Sequence, residues 1–303
     1  MKLISLLFSS LAIGLMMNMF NQMGNEEKAY ASSFVLHEGP KTLLLAGLDR
    51  DPHSPNRDRR TDLHTDSLVL LYTKAGSHTV NALHIPRDTL VYVPSVGYLK
   101  INAVRMFYGD VALRRAVQSI TGLPVGAVLY ADFPRFKKAF YKLGHVAFYV
   151  DRHMDSPEGQ VHLQPGLHSL SPDEALVVAR FRHEPLGDVG RVQRQARLLY
   201  AAINELHRLP YPAYSTVLST LDPKVAPSVI RQAYTILHQM KAYHAYMLPG
   251  RFGEGREFGD FVADENGMRI VRAVMAGSSA KIGHASNWRH QLDERDVGEV
   301  EIL

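Results

Sequence analysis

From Lys41 onward, apolar and polar positions alternate between strand-length and helix-length blocks. Thr42–Leu48 (TLLLAGL) and Ser67–Thr73 (SLVLLYT) are continuous apolar runs, the pattern of strands covered on both faces and therefore central in a sheet. Lys74–Ser77 makes a short turn, and His78–Ile85 (HTVNALHI) alternates as the hairpin partner of the second run. The spacing then predicts a helix over Gly109–Thr121, a strand over Val125–Phe133, a helix over Pro134–Leu143 and a strand over Val146–Val150. Ser171-Pro172-Asp173-Glu174 opens another helix, with a capping serine, proline at the first helical position and acids in the first turn. Asp188–Leu209 carries the longest stripe, with Val192, Ala196, Leu199, Ile203 and Leu206 spaced by alternating fours and threes, and Pro210 and Pro212 end it. Helices over Ser228–Met240 and Asn266–Met275 flank a strand at Tyr243–Leu248. This alternation predicts a layered α/β domain over residues 41–276, without repeat or linker. Past Ala276 the apolar pattern fades, and 277–303 reads as a loose tail.

The N-terminus follows a different rule. Leu3–Phe20 has no charge behind the single cation of Lys2, and eighteen helical residues reach about 27 Å, just short of a bilayer core. Residues 1–31 therefore read either as a signal anchor or as a signal peptide cleaved after Ala29-Tyr30-Ala31. Both readings put the body of the protein outside the cytoplasm, on the membrane or released from it. The 303-residue chain has no cysteine, which excludes a disulfide scaffold, a thiolate metal site and a cysteine nucleophile. A formal net charge of +4 suits an anionic ligand, but nothing here resembles a nucleic-acid recognition motif, and no nucleic-acid partner is expected.

Common catalytic signatures are missing, namely the Walker A loop, GxSxG, HExxH and GxGxxG. His162, His168 and His183 stand at no metal-ligand spacing. The informative residues are arginines beside acids at element ends. Ile85-Pro86-Arg87-Asp88 closes a strand, where α/β sheets place ligand-binding groups. Arg180-Phe181-Arg182 closes a helix, and Gly187-Asp188-Val189-Gly190-Arg191 opens the long one. On that helix Arg191 and Gln195 flank the apolar stripe and can line a cleft, whereas Arg194 points away from it, toward solvent. Guanidiniums gathered near a helix N-terminus suit phosphate, and a solvated basic face is the alternative. Asp49 ends the first strand and Asp66 begins the second, so adjacent strands can bring both carboxylates to one rim. Carboxylates facing arginines fit a pyrophosphate bridged by Mg²⁺. Phe133, Phe136, Phe140 and Tyr141 line either ordinary core or an apolar tunnel.

Taken in order, these segments resemble the LytR-CpsA-Psr family of cell-envelope phosphotransferases. The resemblance runs from Leu43 to Leu206 through LLLAGLDR (Leu43–Arg50), TDSLVLL (Thr65–Leu71), IPRDT (Ile85–Thr89), KINAV (Lys100–Val104), LQPGLHSLSPDEAL (Leu163–Leu176), RFR (Arg180–Arg182) and GDVGRVQRQ (Gly187–Gln195). It implies a three-layer α/β/α sandwich around a mixed central sheet, with a pocket for a polyprenyl-pyrophosphate. The implied activity is Mg²⁺-dependent transfer of a glycopolymer from that carrier to a peptidoglycan hydroxyl, by a protein held on the membrane through its N-terminal segment. By motif, Arg87, Arg180, Arg182, Arg191 and Gln195 would bind pyrophosphate, with Lys100 and Asn102 supporting the pocket. Asp49 and Asp66 would hold Mg²⁺, and Arg87, Asp188 and Arg191 would be the catalytic residues, with Asp188 orienting arginines or assisting proton transfer. A non-enzymatic polyprenyl-phosphate-binding module and a pyrophosphate hydrolase using water are the competing readings.

Three positions depart from the family pattern. His64 stands where an arginine is usual two residues before the second aspartate, and Arg59 or Arg60 is the substitute the sequence offers. Asp110 replaces a second glycine, and His145 interrupts a Gly-Gly pair.

Overall fold

The computed structural model describes residues 41–50, 64–157, 159–181, 187–253 and 259–277, with the backbone alone at 187–189. The N-terminal segment 1–31, Arg59, Arg60, Arg182, His183, the side chain of Asp188 and the tail from 278 lie outside the described residues. The chain begins as an antiparallel meander of β1 (Lys41–Leu48), β2 (Thr65–Thr73) and β3 (Thr79–Ile85), followed by a hairpin of β4 (Leu90–Val93) and β5 (Gly97–Lys100). Helix α1 (Ile101–Thr121) crosses to β6 (Ala127–Ala131), parallel to β1, and α2 (Phe133–Leu143) follows. A small sheet of β7 (Val146–Val150) and β10 (Gly166–Leu170) encloses the short hairpin β8 (Met154–Asp155) and β9 (His162–Leu163). Helices α3 (Pro172–Arg180), α4 (Gly187–Arg208), α5 (Tyr211–Leu221) and α6 (Pro227–His238) come next. The chain returns through β11 (Ala242–Met247), parallel to β3, then β12 (Gly250–Phe252), β13 (Phe261–Ala263) and α7 (Glu265–Met275).

The central sheet has the order β11-β3-β2-β1-β6 and is mixed. Alternate residues of its apolar strands point to opposite sides, so one sheet feeds two cores. Leu44, Leu70 and Leu83 pack against Val104, Leu113 and Val117 of α1 and Val271 of α7. Leu43, Val69, Leu71 and Val80 pack against Leu206 of α4, Val217 of α5 and Ile230 of α6. The result is the α/β/α sandwich. A third cluster, with Phe140, Val146, Phe148, Leu170, Val178 and Leu198, joins α2, α3 and α4 to the small sheet.

The element ends depart most from the periodicity at the start of α1, at β6 and at the start of α5. Helix α1 begins eight residues before Gly109, which interrupts it at φ 77° and ψ −176°, a conformation open essentially to glycine. The family departure at Asp110 braces that interruption: its Oδ1 accepts from Arg105 Nε at 2.9 Å and from the Tyr130 hydroxyl at 2.8 Å. Strand β6 is shorter than expected because Asp132 turns away to cap α2, accepting from the Arg135 backbone N–H. Pro210 and Pro212 end α4 as expected, yet Pro212 then sits in the first turn of α5, where a missing N–H costs nothing. The expected cap of α3 is present as a reciprocal Ser171–Glu174 capping box.

Two outcomes test this account. Gly109→Ala is expected to lower the unfolding free energy by about 1–3 kcal/mol in urea titration. On β3, His84 lies between Val69 and Met247 in register, and burial pushes its pKa down to about 4. The folded state therefore refuses a proton that the unfolded chain takes up near pH 6.5. Stability should be full above that value and fall by roughly 3 kcal/mol as pH drops toward 4. His84→Gln is expected to flatten that slope.

Candidate active site

The described residues enclose a cavity of about 1030 Å³ between the central sheet and the layer of α2, α3, α4, α5 and α6. Its polar end lies where β1 finishes and β2 begins. Asp49 follows β1 directly, its backbone N–H bonded to the His64 carbonyl at 3.0 Å. Ala46 pairs with Leu68 and Gly47 with Ser67, but Leu48 pairs with Thr65, so the register skips Asp66. Asp66 is thus the extra residue of a β-bulge, and it and Ser67 both line the cavity, where strict alternation would admit only one. Continuing the β2–β3 register past Leu68–Ile85 sets Asp66 opposite Arg87, and Arg87 Nη1 meets Asp66 Oδ2 at 2.5 Å.

From the helical side come Arg180, at the end of α3, and Arg191 and Gln195 of α4. The Arg180 guanidinium lies 4.5 Å from the centroid of the Phe133 ring, a cation–π contact at the start of α2. Arg191 is 4% exposed, so its charge stands in a poorly solvated wall. Gln195 bridges three elements: its Oε1 accepts from Ser67 Oγ at 3.2 Å and its Nε2 donates to the Ala179 carbonyl at 2.9 Å. The two aspartates, three arginines and the glutamine singled out in the sequence thus share one lining. Below them the walls turn apolar, with Leu43, Leu71, Phe136, Phe140, Leu218 and Leu237 among the lining residues. Phe133 belongs to the same lining, but Tyr141 does not; it is 78% exposed on the outer face of α2.

Lys100 and Asn102 stand behind the rim and do not line the cavity. Lys100 Nζ lies 3.3 Å from Asp88 and 3.4 Å from Asp260, and Asp88 in turn lies 3.5 Å from Arg87 Nε. Burial pulls the Lys100 pKa down, but the two carboxylates outweigh it and hold it above its ordinary value. Asn102 is buried; its backbone N–H bonds to the Arg87 carbonyl, and its carbonyl accepts from Thr65 Oγ1. Both residues therefore fix the segment that carries Arg87. His64 contributes its backbone to the rim and is not among the lining residues.

Arg194 corrects the helical-wheel reading. It is 1% exposed, donates to the Phe181 carbonyl at 2.9 Å and lies 5.3 Å from the Phe181 ring centroid. The wheel assumed water opposite the stripe, whereas the end of α3 covers that side of α4. Ser67 and Asp132 also line the cavity and drew no notice as a site in the sequence, being one small polar residue in an apolar run and one helix cap.

A family model described as the LytR_cpsA_psr family matches residues 13–238. The chain belongs to that family. Its relatives include an uncharacterised protein of Staphylococcus aureus, 30% identical over 168 residues covering 54% of this chain and 41% of the relative. Regulatory protein MsrR of Staphylococcus aureus is 29% identical over 174 residues, 57% of this chain and 51% of its own length. The polyisoprenyl-teichoic acid–peptidoglycan teichoic acid transferase TagT of Bacillus subtilis is 29% identical over 187 residues, 59% of this chain and 57% of its own. The chain thus spans about half the length of the curated relatives it matches. The crystal structure of Bacillus subtilis TagT matches with a TM-score of 0.63 and 23% identity over 79% of this chain and 90% of that one. Bacillus subtilis TagV matches at 0.65 and 20%, over 80% of this chain and 100% of that one. These likenesses show that the LytR_cpsA_psr protein has the fold of those structures.

Arg194→Met is expected to destabilise the protein by about 2 kcal/mol, because it removes the buried charged donor of the half-buried Phe181 carbonyl. Chemical denaturation measures this, and Arg197→Met on the exposed flank of the same helix should cost less.

Proposed function

We propose that the protein is an envelope phosphotransferase that moves a glycopolymer from a polyprenyl-pyrophosphate carrier onto a hydroxyl of peptidoglycan. The observation that carries this reading is the two-character cavity, cationic and carboxylate-lined at one end and apolar along the rest. A polyprenyl-pyrophosphate has the same two parts, a doubly anionic head and a hydrocarbon chain. The name of TagT, a relative over more than half of this chain, supports the same class of reaction. The structure of TagT bound to LI-WTA, with a TM-score of 0.64, supports a ligand-seating role for this fold. In this reading the body faces the wall side of the membrane, held by the N-terminal segment or released by its cleavage.

The chain's own residues divide the work. Arg87, Arg180 and Arg191, with Arg182 from the segment after α3, hold the phosphoryl oxygens by charge-assisted hydrogen bonds, and the N-terminus of α4 adds its field. Gln195 fixes α4 against β2 and α3 and keeps Arg191 in register with the head group. The acceptor oxygen forms its bond to the phosphorus that bears the glycopolymer as the bridging P–O bond breaks, and polyprenyl phosphate leaves. Asp188, in the first turn of α4, is the chain's group for the hydroxyl proton. Negative charge spreads over the phosphoryl oxygens in the transition state, so fixed cations lower its energy more than that of the ground state.

Asp49 and Asp66 are the residues that would hold Mg²⁺. They fit it: both offer hard oxygen donors, and Asp66 Oδ1 is buried without a hydrogen-bond partner among the described residues. When bound, the metal would neutralise pyrophosphate charge.

Purified full-length protein mixed with a short-chain polyprenyl-pyrophosphoryl glycan, Mg²⁺ and peptidoglycan should release polyprenyl phosphate in an acceptor-dependent way. Arg87→Ala is expected to slow release by about 10²–10³-fold, and Asp66→Ala to remove the Mg²⁺ dependence along with most of the rate. Acceptor-independent release would instead identify hydrolysis. Retention of the lipid without release, relieved by His64→Arg, would identify a binding module.

A further inference from the structure

Helix α2 has two unlike faces. Its inner face supplies Phe136 and Phe140 to the cavity wall. Its outer face carries Lys138, Tyr141 and Lys142, spaced i, i+3 and i+4 and therefore side by side. All three are exposed, Tyr141 to 78%. The helix contains no acidic residue, and α5, packed beside it, contains no charge at all. Asp173 of α3, in the cleft beside these side chains, pairs with Lys137 at 2.5 Å, and Asp132 caps the far end of the helix. Lys138 and Lys142 have no acidic partner among the described residues. These side chains line a shallow cleft that shares Asp173 with the lining of the apolar cavity.

We propose that the outer face of α2 docks on the surface of an anionic bilayer, with Tyr141 set among the head groups and Lys138 and Lys142 on lipid phosphates. Two ammonium groups flanking an amphipathic ring form the chemistry of an interfacial helix face. Continuity selects the bilayer as occupant: the helix that would rest on the lipid surface is also the wall of the apolar cavity. A hydrocarbon chain reaching that cavity would then cross little water. The choice of a bilayer rests on the lipid-carrier reading of the cavity, while the docking itself goes beyond that reading and is measured without turnover.

The absence of cysteine makes the test direct. Full-length Tyr141→Cys and, on the opposite layer, Ser119→Cys each take one environment-sensitive fluorophore. Each is mixed with phosphatidylglycerol or phosphatidylcholine vesicles carrying nitroxide-labelled lipid. The label at 141 should shift to the blue and be quenched on phosphatidylglycerol, much less on phosphatidylcholine, while the label at 119 stays unquenched on both. Adding Lys138→Gln and Lys142→Gln should lower the docked-to-undocked ratio at 141 roughly fivefold for each lysine, about 25-fold together. Equal quenching at 141 and 119, no quenching at 141 on phosphatidylglycerol, or equal quenching on both lipids overturns the proposal. A response to soluble polyphosphate without one to vesicles also overturns it, in favour of a polyanion site. No turnover is read, so failure here leaves the transferase assay standing, and failure there leaves this result standing.

Discussion

One extra residue in β2 sets the rim of the cavity. Because the β1–β2 ladder skips Asp66, the strand places Asp66 and Ser67 in the same lining, while the regular β2–β3 register sets Asp66 against Arg87. Ser67 reaches Gln195, which reaches the end of α3, so a single bulge links the sheet to both helices that deliver arginine. A regular ladder would aim one of the two side chains at the opposite core.

The charges around that rim work as a chain rather than as isolated groups. Asp66 holds Arg87 from one side, and Asp88 approaches it from the other, itself held by Lys100. Asp260 reaches Lys100 from the far end of the sequence. A guanidinium fixed on two sides loses little side-chain entropy when an anion arrives, which favours tight phosphate binding over a loose basic surface. Arg194 plays a different part in the same helix: buried on the Phe181 carbonyl, it clamps the end of α3 over α4 and so holds Arg180 and Arg191 on neighbouring elements.

Sequence departures from the family fall into the structure unevenly. Asp110 has a clear local role, tying the interruption in α1 to Arg105 and Tyr130 on the side of the sheet away from the cavity. His145 is exposed and bonded to Ser169 Oγ at 2.9 Å, at the start of the small sheet. His64 enters the rim through its backbone, which any residue would supply equally well.

The hydrophobic pattern by itself determined the central strands, the long helix and the layered α/β class, because burial on both faces of a sheet leaves a local trace in every strand. Arginines and acids at element ends marked the site for the same reason, since a charge can interrupt an apolar run only where the run meets a rim. Tertiary structure alone decided the rest. Only the pairing of β1 with β2 reveals that Asp66 is a bulge residue. Only the cover provided by α3 turns Arg194 from a surface group into a buried clamp. Only the placement of α2 between cavity and solvent separates Phe136 and Phe140 from Tyr141. Each of these depends on what lies across a contact distant in sequence, and the periodicity of one segment carries no record of its neighbour.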